Sequence, residues 1–166
     1  MSGSARRILQ PVPTVRDDQP GILFCGHCGH GPDPLEEMQG RVCGRCGLGL
    51  MLCARRDTAP TPKDPFLVVD GTLTICALSQ AAEDLLGVEE IAAVNRHVSD
   101  FLLPADAEAA GPENLIELLI HAAREEGEPH HAVVRPAGEF GVRYWARVGA
   151  CGPPRAALLV LADLGE

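Results

Sequence analysis

The sequence lacks several features that mark particular classes of protein. No apolar run approaches the roughly 18–20 residues that a helix needs to cross a bilayer. The first ten residues contain two arginines but no long apolar stretch of the kind found in secretory signals. Catalytic signatures are also missing, including Gly-x-Ser-x-Gly, a phosphate-binding loop and a kinase motif. We therefore expect a cytoplasmic protein that does not bind membranes and is not an enzyme.

Aromatic residues and positive charge are both scarce. Aromatic side chains make up only 4% of the chain, which leaves little to stack on nucleic-acid bases. Residues 1–57 carry seven Arg against six acidic residues, whereas residues 58–166 carry seven Lys or Arg against seventeen acidic residues. A phosphate backbone would repel this larger, acidic part. The composition therefore argues against nucleic acid as a partner, while a hydrophobic fraction of 46% is enough to build a folded core.

The cysteines are the most informative residues present. There are seven, an odd number, and without an export signal they favour metal binding or redox chemistry over a disulfide framework. Four of them form two Cys-Gly-x-Cys-Gly motifs, Cys25 with Cys28 and Cys43 with Cys46. The glycine that ends each motif allows a positive φ, so that backbone amides can turn toward the sulfurs. Two such turns predict a closed site in which four thiolates bind one structural zinc ion.

The paired turns resemble the knuckles of the zinc-ribbon and rubredoxin-type family. The same four thiolates also suit iron, and iron would imply an electron carrier. Phe24 is the only aromatic residue near the motifs, and this favours zinc, because rubredoxins are rich in aromatic residues around the iron. His27 and His30 are alternative ligands that we interpret as surface side chains. We interpret Cys53 as a buried thiol and Cys76 as a small core residue, not as ligands.

The chain divides into four parts by composition. Residues 1–20 have no periodicity and predict a flexible tail. The zinc ribbon would span residues 21–54, and the three prolines within residues 55–65 indicate an extended linker. Residues 66–166 have the pattern of a mixed α+β domain.

The elements of that domain follow from local signals. The run beginning at Phe66 predicts a strand that turns at Asp70-Gly71 into a partner strand. Ser79 and Gly87 are suitable caps for a short helix. A later helix carries an apolar stripe that includes Leu115, Leu118 and Leu119. Three more strands are predicted, over 130–135, 142–148 and 156–162.

Three segments of this region resemble the PAS-domain family: Val68–Gly71, Ser79–Gly87 and His97–Pro104. The resemblance implies a five-stranded antiparallel PAS-like sheet with helices on one face, here preceded by a small N-terminal zinc ribbon. It also implies an unidentified small ligand in a cavity of the domain, or dimerisation. The site residues of any such ligand stay unknown.

These observations favour a non-enzymatic sensory or regulatory protein with a protein partner, a homodimer, or both. In this hypothesis the ribbon, held by Cys25, Cys28, Cys43 and Cys46, serves protein interaction. Two alternatives stay open. One is a transcription-associated factor whose ribbon contacts nucleic acid through Arg41, Arg45, Arg55 and Arg56. The other is the rubredoxin-like electron carrier.

Overall fold

The computed structural model describes residues 21–33, 40–105 and 114–164. The strands in chain order are β1 (Ile22–Cys25), β2 (Met51–Ala54), β3 (Phe66–Val69), β4 (Ile75–Leu78), β5 (Leu102–Pro104), β6 (His130–Pro136), β7 (Tyr144–Gly152) and β8 (Ala156–Asp163). The helices are α1 (Gln80–Leu86), α2 (Glu90–Ala93) and α3 (Leu115–Arg124), with a 3₁₀ turn at Val98–Asp100. The predicted tail, residues 1–20, lies outside the described residues. Within those described, no helix is long and apolar enough to cross a bilayer.

The eight strands form one antiparallel sheet. Its main path runs β1-β2-β7-β8-β3-β4, while β6 pairs with β7 and carries β5 on its other edge. The longest pairing joins β7 and β8. It runs from Tyr144, which lies opposite Asp163, to Cys151, which lies opposite Ala156. The sheet curls into a half-barrel, and the turn after β1 contacts the start of α1, where the Gln80 amide donates to the His27 carbonyl oxygen at 2.8 Å.

Local sequence signals explain the hairpin β3–β4 and the helix after it, as predicted. Asp70 turns the chain by accepting hydrogen bonds from the backbone amides of Thr72 and Thr74 at 2.8 and 3.0 Å. Ser79 caps α1 by accepting from the Ala82 amide, and Gly87 ends the helix in the left-handed conformation at φ 64°. The three predicted later strands are confirmed as β6, β7 and β8, with small shifts of their ends.

The helix α3 packs on one face of the sheet, which we call the first face. Asn114 accepts from the Ile116 amide at 3.0 Å and begins the helix. The buried stripe Leu115, Leu118, Leu119, Ala122 and Ala123 packs on the inward-facing residues of β7 and β8. This arrangement follows from the helical periodicity of the apolar residues.

The second face of the sheet is also buried. All four residues of β3 are buried, as are the first six residues of β8, so β3 and this part of β8 have no solvent-facing side. The ring of Phe24 on β1 packs edge-to-face on Phe66 of β3, with centroids 5.6 Å apart. The core on this side contains Phe24, Leu52, Ala54, Phe66, Val68, Cys151, Ala156, Leu158 and Val160. The β1–β2 hairpin is therefore the cover of the second face.

The predicted fold class is wrong, and the finding that overturns it is the size of the sheet. The strands do not form a five-stranded PAS-like sheet with helices on one face beside a separate ribbon. Residues Cys53 and Ala54 of the ribbon pair with Gly152 and Cys151 of β7, which extends the sheet through β2 to β1. Leu102–Pro104 adds a further strand on β6. The result is mostly β structure with only three short helices in the described part of the chain.

Residues 55–65 lie against this sheet along part of their length. Thr58 is fully buried, and its side chain packs on Gly149 of β7. Arg147 points the same way and donates to the carbonyl oxygens of Thr58 and Ala59, each at 3.4 Å. The segment that follows the hairpin is thus fixed to the strand that pairs with the hairpin.

Candidate metal centre

The first pair of cysteines lies in a tight turn at the end of β1. Cys25 is the last residue of the strand, and its carbonyl oxygen accepts from the Gly29 amide at 3.0 Å. The amides of His27 and Cys28 point at the Cys25 sulfur from 3.4 and 3.5 Å. Gly29 has φ +72°, the left-handed conformation that the motif requires. Backbone dipoles of this turn therefore favour negative charge on the sulfur.

The second pair repeats this geometry. The Cys43 carbonyl oxygen accepts from the Gly47 amide at 2.9 Å, and Gly47 has φ +68°. The Gly26 amide donates to the Leu50 carbonyl oxygen at 2.9 Å and so joins the first turn to the residues that follow the second, while the Cys43 amide donates to the Gly49 carbonyl oxygen at 2.8 Å and closes the second turn. We call the turns at residues 25–29 and 43–47 the first and second knuckles.

The four sulfurs meet between the knuckles. Cys25 Sγ lies 3.6 Å from Cys46 Sγ, and Cys28 Sγ lies 3.9 Å from Cys43 Sγ. All four lie within 4.8 Å of one another. Sulfurs bound tetrahedrally at about 2.3 Å from zinc would be about 3.8 Å apart, whereas a disulfide would need about 2 Å. The donor set and its spacing fit a metal ion such as zinc.

A close approach by Gly49 helps to shape the cluster. A Cβ atom at this position would collide with the Cys25 sulfur and would lie 2.7 Å from the His27 backbone nitrogen. Only glycine allows the chain after the second knuckle to pass so close to the first. This requirement lies outside the two cysteine motifs, and it becomes visible only when both knuckles are placed together.

The surroundings shift the acidities of the thiols in opposite directions. Burial is the main cause that raises the pKa of Cys25, to about 12, and burial also raises the pKa of Cys28. Burial opposes ionisation of Cys46 as well, but amide hydrogen bonds from Gly49 and Leu48 and the neighbouring thiols lower its pKa to about 6. Before a metal ion binds, the cluster therefore holds at least one thiolate and at least one thiol near neutral pH.

The first knuckle is also bonded to the helical side of the protein. The carbonyl oxygen of His27 accepts from the Gln80 amide at the start of α1, at 2.8 Å. Its Nδ1 lies 3.1 Å from Glu90 Oε2, while Glu90 Oε1 accepts from the Leu78 amide at 3.0 Å. A single carboxylate at the start of α2 thus joins the knuckle to strand β4. No local sequence pattern indicates this contact, because Glu90 and His27 are 63 residues apart in the chain.

The structure brings together all four predicted cysteines and separates the alternatives from them. His27 faces Glu90, and His30 has a buried Nδ1 without a hydrogen-bond partner among the described residues. Neither histidine belongs to the cluster of candidate ligands, nor does the half-buried Cys53. The prediction that Cys76 is a core residue is wrong, since it is exposed. A bulge between Val68 and Val69 leaves it without a partner residue on β3.

A second feature with polar residues is a shallow cleft beside α3. Its lining includes His121, Glu125 and His130, and the enclosed space is about 10 Å³. That volume holds about one water molecule, so the cleft is too small for an organic ligand. The expected ligand of the larger domain stays a prediction without assigned residues.

Two comparisons of the sequence with known proteins found no relative. No protein-family model matches the chain, and no curated protein matches it significantly. The metal centre and its attachment to the sheet are therefore the features of the described residues that bear on function.

Proposed function

We propose that this chain is a non-enzymatic regulatory protein in which one structural zinc ion fixes a hairpin for contact with another protein. The observation that carries the proposal is the closed cluster of Cys25, Cys28, Cys43 and Cys46. Four protein ligands leave no open coordination position for water or substrate, which supports a structural role. The ion would hold both knuckles in one rigid unit.

The attachment of the hairpin to the sheet supports this role. Strand β2 pairs with β7, and Phe24 fills the second face beside Phe66. Without a metal ion, little would hold the four thiols together. The two knuckles would then separate more easily, and the β1–β2 hairpin would pack less tightly on the second face of the sheet. The proposed zinc ion therefore acts on the stability of the whole sheet, and not only on the knuckles.

Native mass spectrometry with elemental analysis of the purified full chain tests the proposal. We expect one zinc ion per chain, its loss in Cys43→Ser, and its retention in the matched variant Cys76→Ser, whose thiol lies outside the cluster. Protein without a metal ion, or metal retained after Cys43→Ser, would contradict the proposed centre.

Hydrogen exchange before and after treatment with a chelator tests the structural role itself. Removal of the ion should increase exchange in β1, in β2 and in the residues of β8 that face them. An unchanged exchange pattern would show that the ion does not hold the hairpin.

Iron in the same site would support the electron carrier, because a ferric centre with four thiolates absorbs visible light and zinc does not.

The nucleic-acid alternative has weaker support. Arg55 is paired with Asp57 at 2.9 Å, and Arg41 donates to the Pro153 carbonyl oxygen, so two of the four arginines already have partners within the protein.

A further inference from the structure

The end of α3 brings two histidines and a carboxylate to one place. His121 lies in the last turn of the helix, and Glu125 is the residue that follows the helix. His121 Nε2 lies 3.3 Å from Glu125 Oε2. The ring of His130, the first residue of β6, packs edge-to-face on the His121 ring, with centroids 5.8 Å apart. All three residues line the shallow cleft beside α3, and we call them the cleft triad.

The distances within the cleft triad suit ligands of one ion. A nitrogen and an oxygen bound tetrahedrally at about 2.1 Å from zinc lie about 3.3 Å apart, which is the separation of His121 Nε2 and Glu125 Oε2. Two imidazoles bound in the same way have ring centres about 5 Å apart, close to the 5.8 Å between the His121 and His130 rings. The enclosed space of about 10 Å³ is sufficient for an ion.

Small side-chain movements would complete this set of ligands. In the described part of the chain, only the four cysteine sulfurs already lie within 4.8 Å of one another. The side chains of His121 and Glu125 are 53% and 71% exposed, so they can turn toward an ion without disturbing the core. His130 is half-buried and lies opposite Val148 of β7, so it would set the position of the ion.

The charges around the cleft favour a cation. Residues 125–128 contain three carboxylates, of which Glu128 also lines the cleft. The carbonyl end of α3 adds partial negative charge. Arg155 opposes these charges, but its guanidinium donates to the Arg124 carbonyl oxygen at 2.5 Å and lies 3.5 Å from Glu126. Carboxylates are therefore in excess beside the two imidazoles.

We propose that His121, Glu125 and His130 form a second metal site, which takes a divalent transition-metal ion such as zinc. Two imidazoles and a carboxylate suit such ions, whereas magnesium and calcium prefer oxygen ligands alone. Three protein ligands leave a coordination position open for water or for a group from a partner molecule, in contrast to the closed set of four cysteines. The ion would also join the end of α3 to the start of β6. The site shares no residue with the cysteine cluster and does not depend on it.

The second ion should bind more weakly than the ion among the cysteines. Two of its three ligands are exposed side chains whose rotamer freedom is lost on binding. We therefore expect the purified chain to carry only the ion of the cysteine cluster. The second ion should appear when zinc is added in excess.

A zinc titration of the full chain, followed by NMR of the individual imidazole signals and by native mass spectrometry, tests the proposal. We expect a second ion per chain and a movement of the ring signals of His121 and His130. His131 is the internal control. It follows His130 on β6 and therefore faces the other side of the sheet, where its ring contacts Trp145 with centroids 6.3 Å apart. Its ring signals should not move, and magnesium in place of zinc should move none of the three.

Substitutions identify the ligands. His121→Ala and His130→Ala should each weaken binding of the second ion by about tenfold or more, and Glu125→Gln, which keeps the size of the side chain, should also weaken it. The matched variant His131→Ala should bind the second ion as the wild type does. Circular dichroism without added zinc checks that each variant is folded. This check is expected to succeed, because none of the four side chains is fully buried.

Three results would overturn the proposal. They are the absence of a second ion in excess zinc, a second ion that binds equally well in His121→Ala and His130→Ala, and an equal loss in His131→Ala. The imidazole signals report on the cleft triad whether or not the cysteines hold an ion. A chain that binds zinc through its cysteines alone would therefore support the proposed function and contradict the second site, and zinc bound by the cleft triad alone would do the reverse.

Discussion

The side chain of Thr58 lies directly on the backbone of Gly149. A Cβ atom added to Gly149 would lie 2.5 Å from Thr58 Cγ2 and 2.8 Å from Thr58 Oγ1. Because Thr58 is fully buried, it has no free space into which to move. The segment after the hairpin is therefore held on β7 by a fit that only glycine allows.

Replacement of Gly149 by alanine should destabilise the protein by about 1–3 kcal/mol, because the added methyl group overpacks this contact. Gly141→Ala is the matched control, since a Cβ atom there meets nothing within 4 Å. Urea denaturation of both variants measures the difference. Equal midpoints for Gly149→Ala and the wild type would show that the Thr58 segment is not fixed on β7.

Replacement of Gly49 by alanine should disturb the metal centre, although position 49 is not a ligand. The new Cβ would lie 2.7 Å from the His27 nitrogen and 2.8 Å from the His27 Cβ, between the two knuckles. We expect the affinity for zinc to fall by about tenfold or more, as expected when a residue that orients the ligands is lost. A competition titration with a chromogenic chelator measures it. Gly71→Ala, at an open turn, should bind zinc as the wild type does.

The metal ligands could be predicted from the sequence because their signal is local. Each knuckle is a turn of five residues whose glycine and cysteines have fixed places, so spacing alone identifies Cys25, Cys28, Cys43 and Cys46. The hairpin β3–β4 and the caps of α1 are local in the same sense. Elements of this kind depend on interactions between residues that are near in sequence.

The arrangement of the sheet could not be predicted in the same way, because it depends on distant pairs. The prolines of residues 55–65 predict an extended linker, and no local pattern there indicates that Ala54, directly before it, pairs with Cys151 of β7. One signal did point to the cover of the second face. The uninterrupted apolar runs of β3 and β8 indicate strands buried on both sides. Helices on one face of the sheet could not have buried both sides of these strands.

Glu90 should matter more to stability than other acidic residues of its segment. It accepts from the Leu78 amide at 3.0 Å and faces His27 Nδ1 at 3.1 Å. Glu90→Ala leaves the Leu78 amide without its partner, and we expect a loss of about 1–3 kcal/mol. Glu90→Gln keeps a carbonyl oxygen for Leu78 and should lose less. Thermal unfolding of both variants tests this order, and a Gln variant as unstable as the Ala variant would contradict it.

Zinc affinity should rise with pH, in two regimes set by the thiols. Burial raises the pKa of Cys25 to about 12 and raises that of Cys28, so these groups carry protons near pH 7 and must release them when a metal ion binds. Cys46, whose pKa is lowered to about 6 against the effect of burial, is already ionised there. Each proton released changes the affinity by about tenfold per pH unit. As the pH falls through 6, Cys46 also becomes protonated, and the slope should steepen by about one further decade per unit.

Competition titrations in zinc buffers between pH 5 and 8, over a range on both sides of about 6, measure this slope. Isothermal calorimetry at pH 7, in buffers of different ionisation enthalpy, counts the released protons independently. An affinity that does not change with pH would mean that all four thiols are ionised before the metal ion arrives. The buried Cys25 sulfur would then need a much stronger source of positive potential than the amides of His27 and Cys28 provide.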